Sequence, residues 1–200
     1  MVIMDPTKAD AKIDCVVCGE ACVDVPVRTI PGETYLKPIT TIKVDPIIMG
    51  AGGIVSNSGM AMARLGLSTY ALAHIGGDNW GTMLRSKYES EGLKCDYLQT
   101  SESSPTSVTV VLIDEDNDHT FAFHAGASKL FSRRAVEDHM HVFEKSKFAL
   151  FGYYALFDAD FERELPELFR EIRKTGCRIA LDTAGGGGSL EPLDKILPEL

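Results

Sequence analysis

Strand-like and helix-like segments alternate along this chain of 200 residues, and that order restricts the fold more than any single motif. Residues 13–19, IDCVVCG, are an apolar run of buried-strand length. Residues 59–66, GMAMARLG, carry small and apolar side chains at helical spacing and close on a glycine, a natural helix stop. Residues 68–76 read as a strand, and residues 78–92 as a helix with Asp78 at its N-cap and Gly92 past its end. Residues 147–154 are strand-like, 159–176 amphipathic and helical, and 177–182 strand-like again. A βαβα order of this kind predicts an α/β fold, a parallel sheet with helices on both faces.

Two segments break the alternation. Residues 25–48 have no helical period and contain several prolines and β-branched residues. Residues 106–126 read as two strands around the turn DEDND. Together they predict a small β-sheet standing off the main domain. It is either a lid over the C-terminal ends of the parallel strands, where open α/β sheets bind ligands, or decoration of the sheet edge. The expected division is a core of residues 1–24, 49–104 and 127–200, incomplete at its C-terminus, and a lid of residues 25–48 and 105–126.

Composition narrows the partners. Hydrophobic residues make up 44% of the chain, enough for a real core. The formal net charge of −9 argues against nucleic acid, which needs a basic footprint. No stretch has the eighteen or so apolar residues of a membrane span, and the first fifteen residues lack the basic start and apolar run of a secretory signal. The five scattered cysteines then fit reduced thiols in a cytoplasm better than disulfides. Cys15 and Cys18 match C-x-x-C, but residues three apart on a strand face opposite ways, and no second Cys/His pair follows at zinc spacing.

The stretch richest in chemistry is residues 49–81. Gly50, Gly52 and Gly53 let backbone approach a ligand, and Asn57 at a helix start offers both a donor and an acceptor. The loop lacks the Gly-Lys-Ser/Thr ending of a P-loop and the G-x-G-x-x-G spacing of a dinucleotide site. On its own it is a polar-ligand loop of unspecified kind.

With these residues in view, the chain resembles the ribokinase-like (PfkB) carbohydrate kinases. Gly52, Gly53 and Asn57, followed by Gly66 and Gly76, fit that family's first signature, although Val55 and Gly59 depart from its usual residues. CVVCGEACVD resembles the family's opening strand, whose closing aspartate here is Asp24. Residues 75–98 resemble its G-x-D-x-x-G segment with the following helix and strand, and residues 104–127 its second lid hairpin. The resemblance implies transfer of the γ-phosphoryl group of ATP to a hydroxyl of a sugar, a nucleoside or a related small molecule. The cofactors implied are ATP, Mg²⁺ and, optionally, a monovalent cation. Asp24 would accept hydrogen bonds from substrate hydroxyls, with Gly52, Gly53 and Asn57 contacting the same molecule. Thr106 and His124, at the ends of lid strands, are further candidate contacts. Gly152 and Tyr153 fall near the expected pocket without a role. Many ribokinases carry a lysine after the glycine pair; Ile54 stands here, so the polar contacts to the substrate differ. Lids of the family often pair across a dimer.

Read from the residues alone, each candidate also has a plain structural explanation. Asp24 could cap a turn before Pro26, Gly52 and Gly53 could form a tight turn, Asn57 could be an N-cap, and Asp78 a helix cap. The family's catalytic motif, D-T-x-G-A-G-D, supplies an anion hole and the base. DTAGGGGS, residues 182–189, imitates it but has Gly188 where the aspartate belongs. Either a signature has lost its base or the run is a lookalike. Its early position and the charged, proline-containing segment after it favour the lookalike. The expectation is therefore a substrate-binding portion with no catalytic residue of its own, the base and ATP site lying beyond residue 200. The alternative is a non-catalytic sugar-binding or interaction module of the same fold.

Overall fold

The computed structural model describes residues 12–30, 41–153, 159–183 and 193–200. Strand β1 (Ile13–Gly19) runs into β2 (Cys22–Ile30), and β3 (Gly50–Gly52) leads to a π-helical turn, Val55–Gly59, continued by α1 (Met60–Arg64). Next come β4 (Thr69–Gly76), α2 (Asn79–Ser90), β5 (Leu98–Ser101), and the hairpin of β6 (Ser107–Asp114) and β7 (His119–His124). Then follow α3 (Arg133–Glu137), α4 (Met140–Glu144), β8 (Ser146–Gly152), α5 (Ala159–Lys174), β9 (Arg178–Leu181) and α6 (Leu193–Ile196).

Five strands form a parallel sheet in the order β5-β4-β1-β8-β9, with apolar β1 at its centre. The pleat sends alternate β1 side chains into two separate cores. Val16 and Cys18 join Phe143 of α4, Phe151, and Leu165 and Phe169 of α5; Cys15 and Val17 join Leu84 and Tyr88 of α2 on the other face. The two thiols of the C-x-x-C pair thus point into opposite cores. Helix α5 buries Phe161, Leu165, Leu168, Phe169 and Ile172, one stripe at helical spacing, and the Phe169 ring lies 4.9 Å from that of Phe151. Helices therefore cover both faces, as the alternation predicts.

The second sheet is mixed, in the order β3-β2-β6-β7, with β2 and β6 parallel and the outer pairs antiparallel. The DEDND turn closes because Asp114 Oδ1 accepts the backbone N–H groups of Asp116 and Asp118 while Asn117 takes a left-handed φ of 65°.

Two local expectations change. The opening strand does not run to Asp24. It stops at Gly19, and Asp24 belongs to β2 of the second sheet, across the expected boundary between residues 24 and 25. The helix expected from residue 59 begins earlier, so Asn57 lies inside the π-helical turn and does not cap it. The glycine pair explains the shift: β3 ends at Gly52, and Gly53, at φ 81°, turns the chain directly into the helical segment.

Candidate functional site

The site gathers at the C-terminal ends of β1 and β8, which pair in register as far as Gly19 and Gly152. Ile54 packs across this junction. A β-carbon on Gly152 would lie 2.1 Å from Ile54 Cγ1, and Ile54 is only 2% exposed. The residue that replaces a lysine is thus a wedge between strand ends and helix, and brings no polar group to the site.

Asp24 and the glycine pair meet directly. A β-carbon on Gly52 would lie 2.2 Å from Asp24 Oδ2, so only glycine leaves the carboxylate its place. Gly53 lies against Glu20 in the same way: a β-carbon there would meet the Glu20 carbonyl oxygen at 2.5 Å. That carbonyl also accepts the backbone N–H of Val55 at 3.1 Å, which ties the end of β1 to the start of the π-helical turn. Ser56 donates its hydroxyl proton to Gly52 O at 2.6 Å and accepts from Tyr88, 2.8 Å away, so two buried hydroxyls lock the glycine turn. Exposed Asn57 donates Nδ2–H to the Tyr153 hydroxyl at 2.9 Å. Tyr153 holds a φ of 59°, an uncommon left-handed conformation for an aromatic residue and one that strained functional positions often show.

Strand register decides what else faces Asp24. Asp24 pairs with Thr109, and Thr109 pairs with Phe123, so the three side chains share one face of the second sheet. His124 pairs with Val108, which pairs with Val23, a fully buried core residue. The alternation of the pleat therefore puts His124 on the face opposite Asp24, where it cannot join the same contact set. Thr106 is also spent elsewhere. Its hydroxyl donates to Asp78 Oδ1 at 2.6 Å and accepts the Gly76 N–H at 2.9 Å, and its own N–H donates to Asp78 Oδ2. Asp78 caps α2 through the Gly81 N–H, as the sequence suggests, and clamps β6 to the end of β4 as well. Burial pushes the Asp78 carboxyl upward, but the donated hydrogen bonds outweigh it and hold the group below its ordinary range.

Between the strand ends and the second sheet lies a cavity of about 40 Å³, lined among others by Gly19, Glu20, Phe123, Phe131 and Tyr153. Glu20 is the residue that sequence reasoning overlooked. It is 6% exposed, and its Oε1 is buried with no hydrogen-bond partner. Burial first, and then the charge of Asp24, push its carboxyl from the ordinary 4.5 up to about 7. Burial also raises Asp24, with a hydrogen bond from the Cys22 thiol working the other way. Two neighbouring carboxyls, both raised by burial, thus border the same site. The available signal was the single charge at position 20 inside the apolar run from Cys15 to Val23.

The glycine run at residues 185–188, with Gly188 in the aspartate position, lies outside the described residues. Of the residues before it, Asp182 donates its N–H to Phe151 O at 2.8 Å, next to β8. Among the described residues no group of three or more His, Cys, Asp or Glu side chains could hold a metal ion, and no helix is long and apolar enough to cross a membrane.

The model for the pfkB family of carbohydrate kinases matches residues 12–198. A nucleoside kinase from Methanothermobacter thermautotrophicus is 34% identical over 101 residues, 50% of this chain and 32% of that protein. A ribokinase from Arabidopsis thaliana is 24% identical over 178 residues, 85% of this chain and 44% of that protein. In fold, the chain resembles a ribokinase from Giardia lamblia with a TM-score of 0.77 at 17% identity, covering 93% of this chain and 56% of the other. It also resembles the Arabidopsis thaliana ribokinase complexed with ribose and ATP, with a TM-score of 0.70 at 21% identity, covering 86% and 54%. The chain spans less than half the length of these curated relatives and little more than half of these structures.

Proposed function

Because this chain belongs to the pfkB family of carbohydrate kinases, we propose that it is the acceptor-binding portion of an enzyme moving the γ-phosphoryl group of ATP to a hydroxyl of a sugar or sugar-bearing molecule. The observation that carries the reading is the Asp24 carboxylate seated over Gly52, beside the turn that presents Asn57. A carboxylate accepts two hydroxyl hydrogens in a charge-assisted geometry, the arrangement a polyol rewards. Gly52 and Gly53 bring backbone close to the same molecule, and Asn57 and Tyr153 offer further polar groups on the α1 side. Phe123, in the same row as Asp24 on the second sheet, gives the sugar an apolar face and excludes water when that sheet acts as a lid.

ATP, with Mg²⁺, supplies the phosphoryl group when bound; the described residues bind and orient the acceptor. The base that takes the hydroxyl proton, and the nucleotide site, belong beyond residue 200 in this reading. Edge strand β7, all six of whose residues are exposed, is where a second copy would pair with the lid.

Calorimetry of the chain against D-ribose, D-fructose and adenosine tests the acceptor site. Asp24→Ala is expected to weaken the bound ligand at least about tenfold, the loss of a hydrogen bond to a charged group. An unchanged affinity would remove Asp24 from the site. A coupled assay for ADP release should show no turnover by the 200-residue chain, and sugar-dependent ADP release would overturn the placement of the base beyond residue 200.

A further inference from the structure

Glu20 is a buried acid in a place where burial of an acid costs stability. Its Oε1 is shut off from solvent without a hydrogen-bond partner, and no cation pairs with it among the described residues. Its surroundings explain why it stays there. The Glu20 carbonyl accepts the Val55 N–H and lies where a side chain on Gly53 would stand, so its backbone is tied to the glycine turn. Glu20 lines the cavity together with Phe123 of the second sheet, Phe131, which follows the turn at residues 126–130, and Tyr153, just past β8. A cavity of about 40 Å³ admits a water or two, or one small polar substituent, and not a sugar ring.

We propose that Glu20 is a substrate-contacting residue whose carboxyl group hydrogen-bonds one hydroxyl-bearing arm of the acceptor, seated in this cavity while Asp24 holds hydroxyls of the ring outside it. The inference rests on the acceptor-binding reading above and adds to it a specificity element. A carboxyl here can give or accept one hydrogen bond to a hydroxyl, and Ser128 and Lys129 line the same cavity beside its aromatic residues.

The test compares the parent chain with Glu20→Gln and Glu20→Leu by calorimetry with D-ribose, D-fructose and adenosine, together with thermal unfolding of each ligand-free chain. Glu20→Gln keeps a hydrogen-bonding group and should bind within threefold of the parent. Glu20→Leu should lose at least tenfold in affinity while its ligand-free melting temperature stays equal or rises. If Glu20→Leu binds within twofold of the parent, Glu20 does not touch the acceptor and the inference falls while the acceptor-binding reading stands. If both variants melt well below the parent and lose binding alike, Glu20 is structural and the inference again falls. If the parent binds none of the three ligands, both readings fall together.

Discussion

The carboxylate of Asp24 occupies the space that a side chain at Gly52 would need, with Oδ2 only 2.2 Å from where a β-carbon would stand. Residues from two strands of the second sheet are thus matched to each other, a small residue making room for a charged one. Gly52→Ala should destabilise the chain by about 1–3 kcal/mol, the usual range for overpacking. The double variant Asp24→Ala/Gly52→Ala should recover most of that loss, and a double-mutant cycle from urea unfolding reads the coupling. Additive losses would mean that the contact is not the source of the constraint.

The Glu20 carboxyl makes a signed prediction about pH. Its folded value is raised from 4.5 to about 7, so the folded chain holds more protons than the unfolded chain between those values. Its contribution is complete below about 4.5 and is lost as pH rises through about 7. Half-buried His74 acts in the opposite sense: burial, then His139, lower it below 6.5, so its contribution fades as pH falls. The difference between the parent and Glu20→Gln isolates the acid. Relative to the variant, the parent should lose stability between pH 5 and 7.5, measured by unfolding at fixed ionic strength. Parallel pH curves would place the Glu20 titration elsewhere.

Thr106 joins Asp78 and Gly76 in the clamp between β6 and β4. Thr106→Val removes the hydroxyl that both Asp78 and Gly76 use, and a cost of about 1–3 kcal/mol is expected for the groups left unpaired. Thr106→Ser should cost less. Sugar affinity of either folded variant should stay within threefold of the parent in calorimetry; a larger loss would return Thr106 to the contact set.

The thiols of Cys15 and Cys18 should be inert in the folded chain. Both are fully buried on opposite faces of the sheet, and burial pushes Cys15 up to about 12 and Cys18 well above its ordinary value. A thiol reagent followed by mass mapping should label neither until the chain is unfolded. Prompt native-state labelling of either would contradict the buried-strand reading of the C-x-x-C pair.

Packing across the sheet supplies the last test. Phe169 fills the α5 side of the core against Phe151, and Phe169→Ala should cost about 3–5 kcal/mol in urea unfolding. A cost under 1 kcal/mol would show that this core collapses around the cavity.

Much of this fold can be read along the chain because its signals are local. Apolar runs such as residues 13–19 and the helical stripe from Phe161 to Ile172 announce strand and helix wherever they are placed. The opposite facing of Cys15 and Cys18 follows from the pleat alone. Asp24, Gly52, Gly53 and Asn57 could be named as one set only through the resemblance; the fold then brings Asp24 onto Gly52 and sets Asn57 against Tyr153.

The site itself turns on relations between distant segments. His124 and Phe123 are neighbours in sequence, yet the pairing of β7 with β6 and of β6 with β2 sets Phe123 beside Asp24 and His124 behind it. Thr106 and Asp78 became partners because β6 starts against the end of β4, and Glu20 became a buried acid because the glycine turn packs against it and the second sheet lies beside it. The sequence by itself determined the elements and the order in which they stack, since periodicity and turn chemistry act over a few residues. Only the tertiary structure decided which polar groups are paired, which are stranded and which face one another, since register and burial are set by segments that meet across the whole chain.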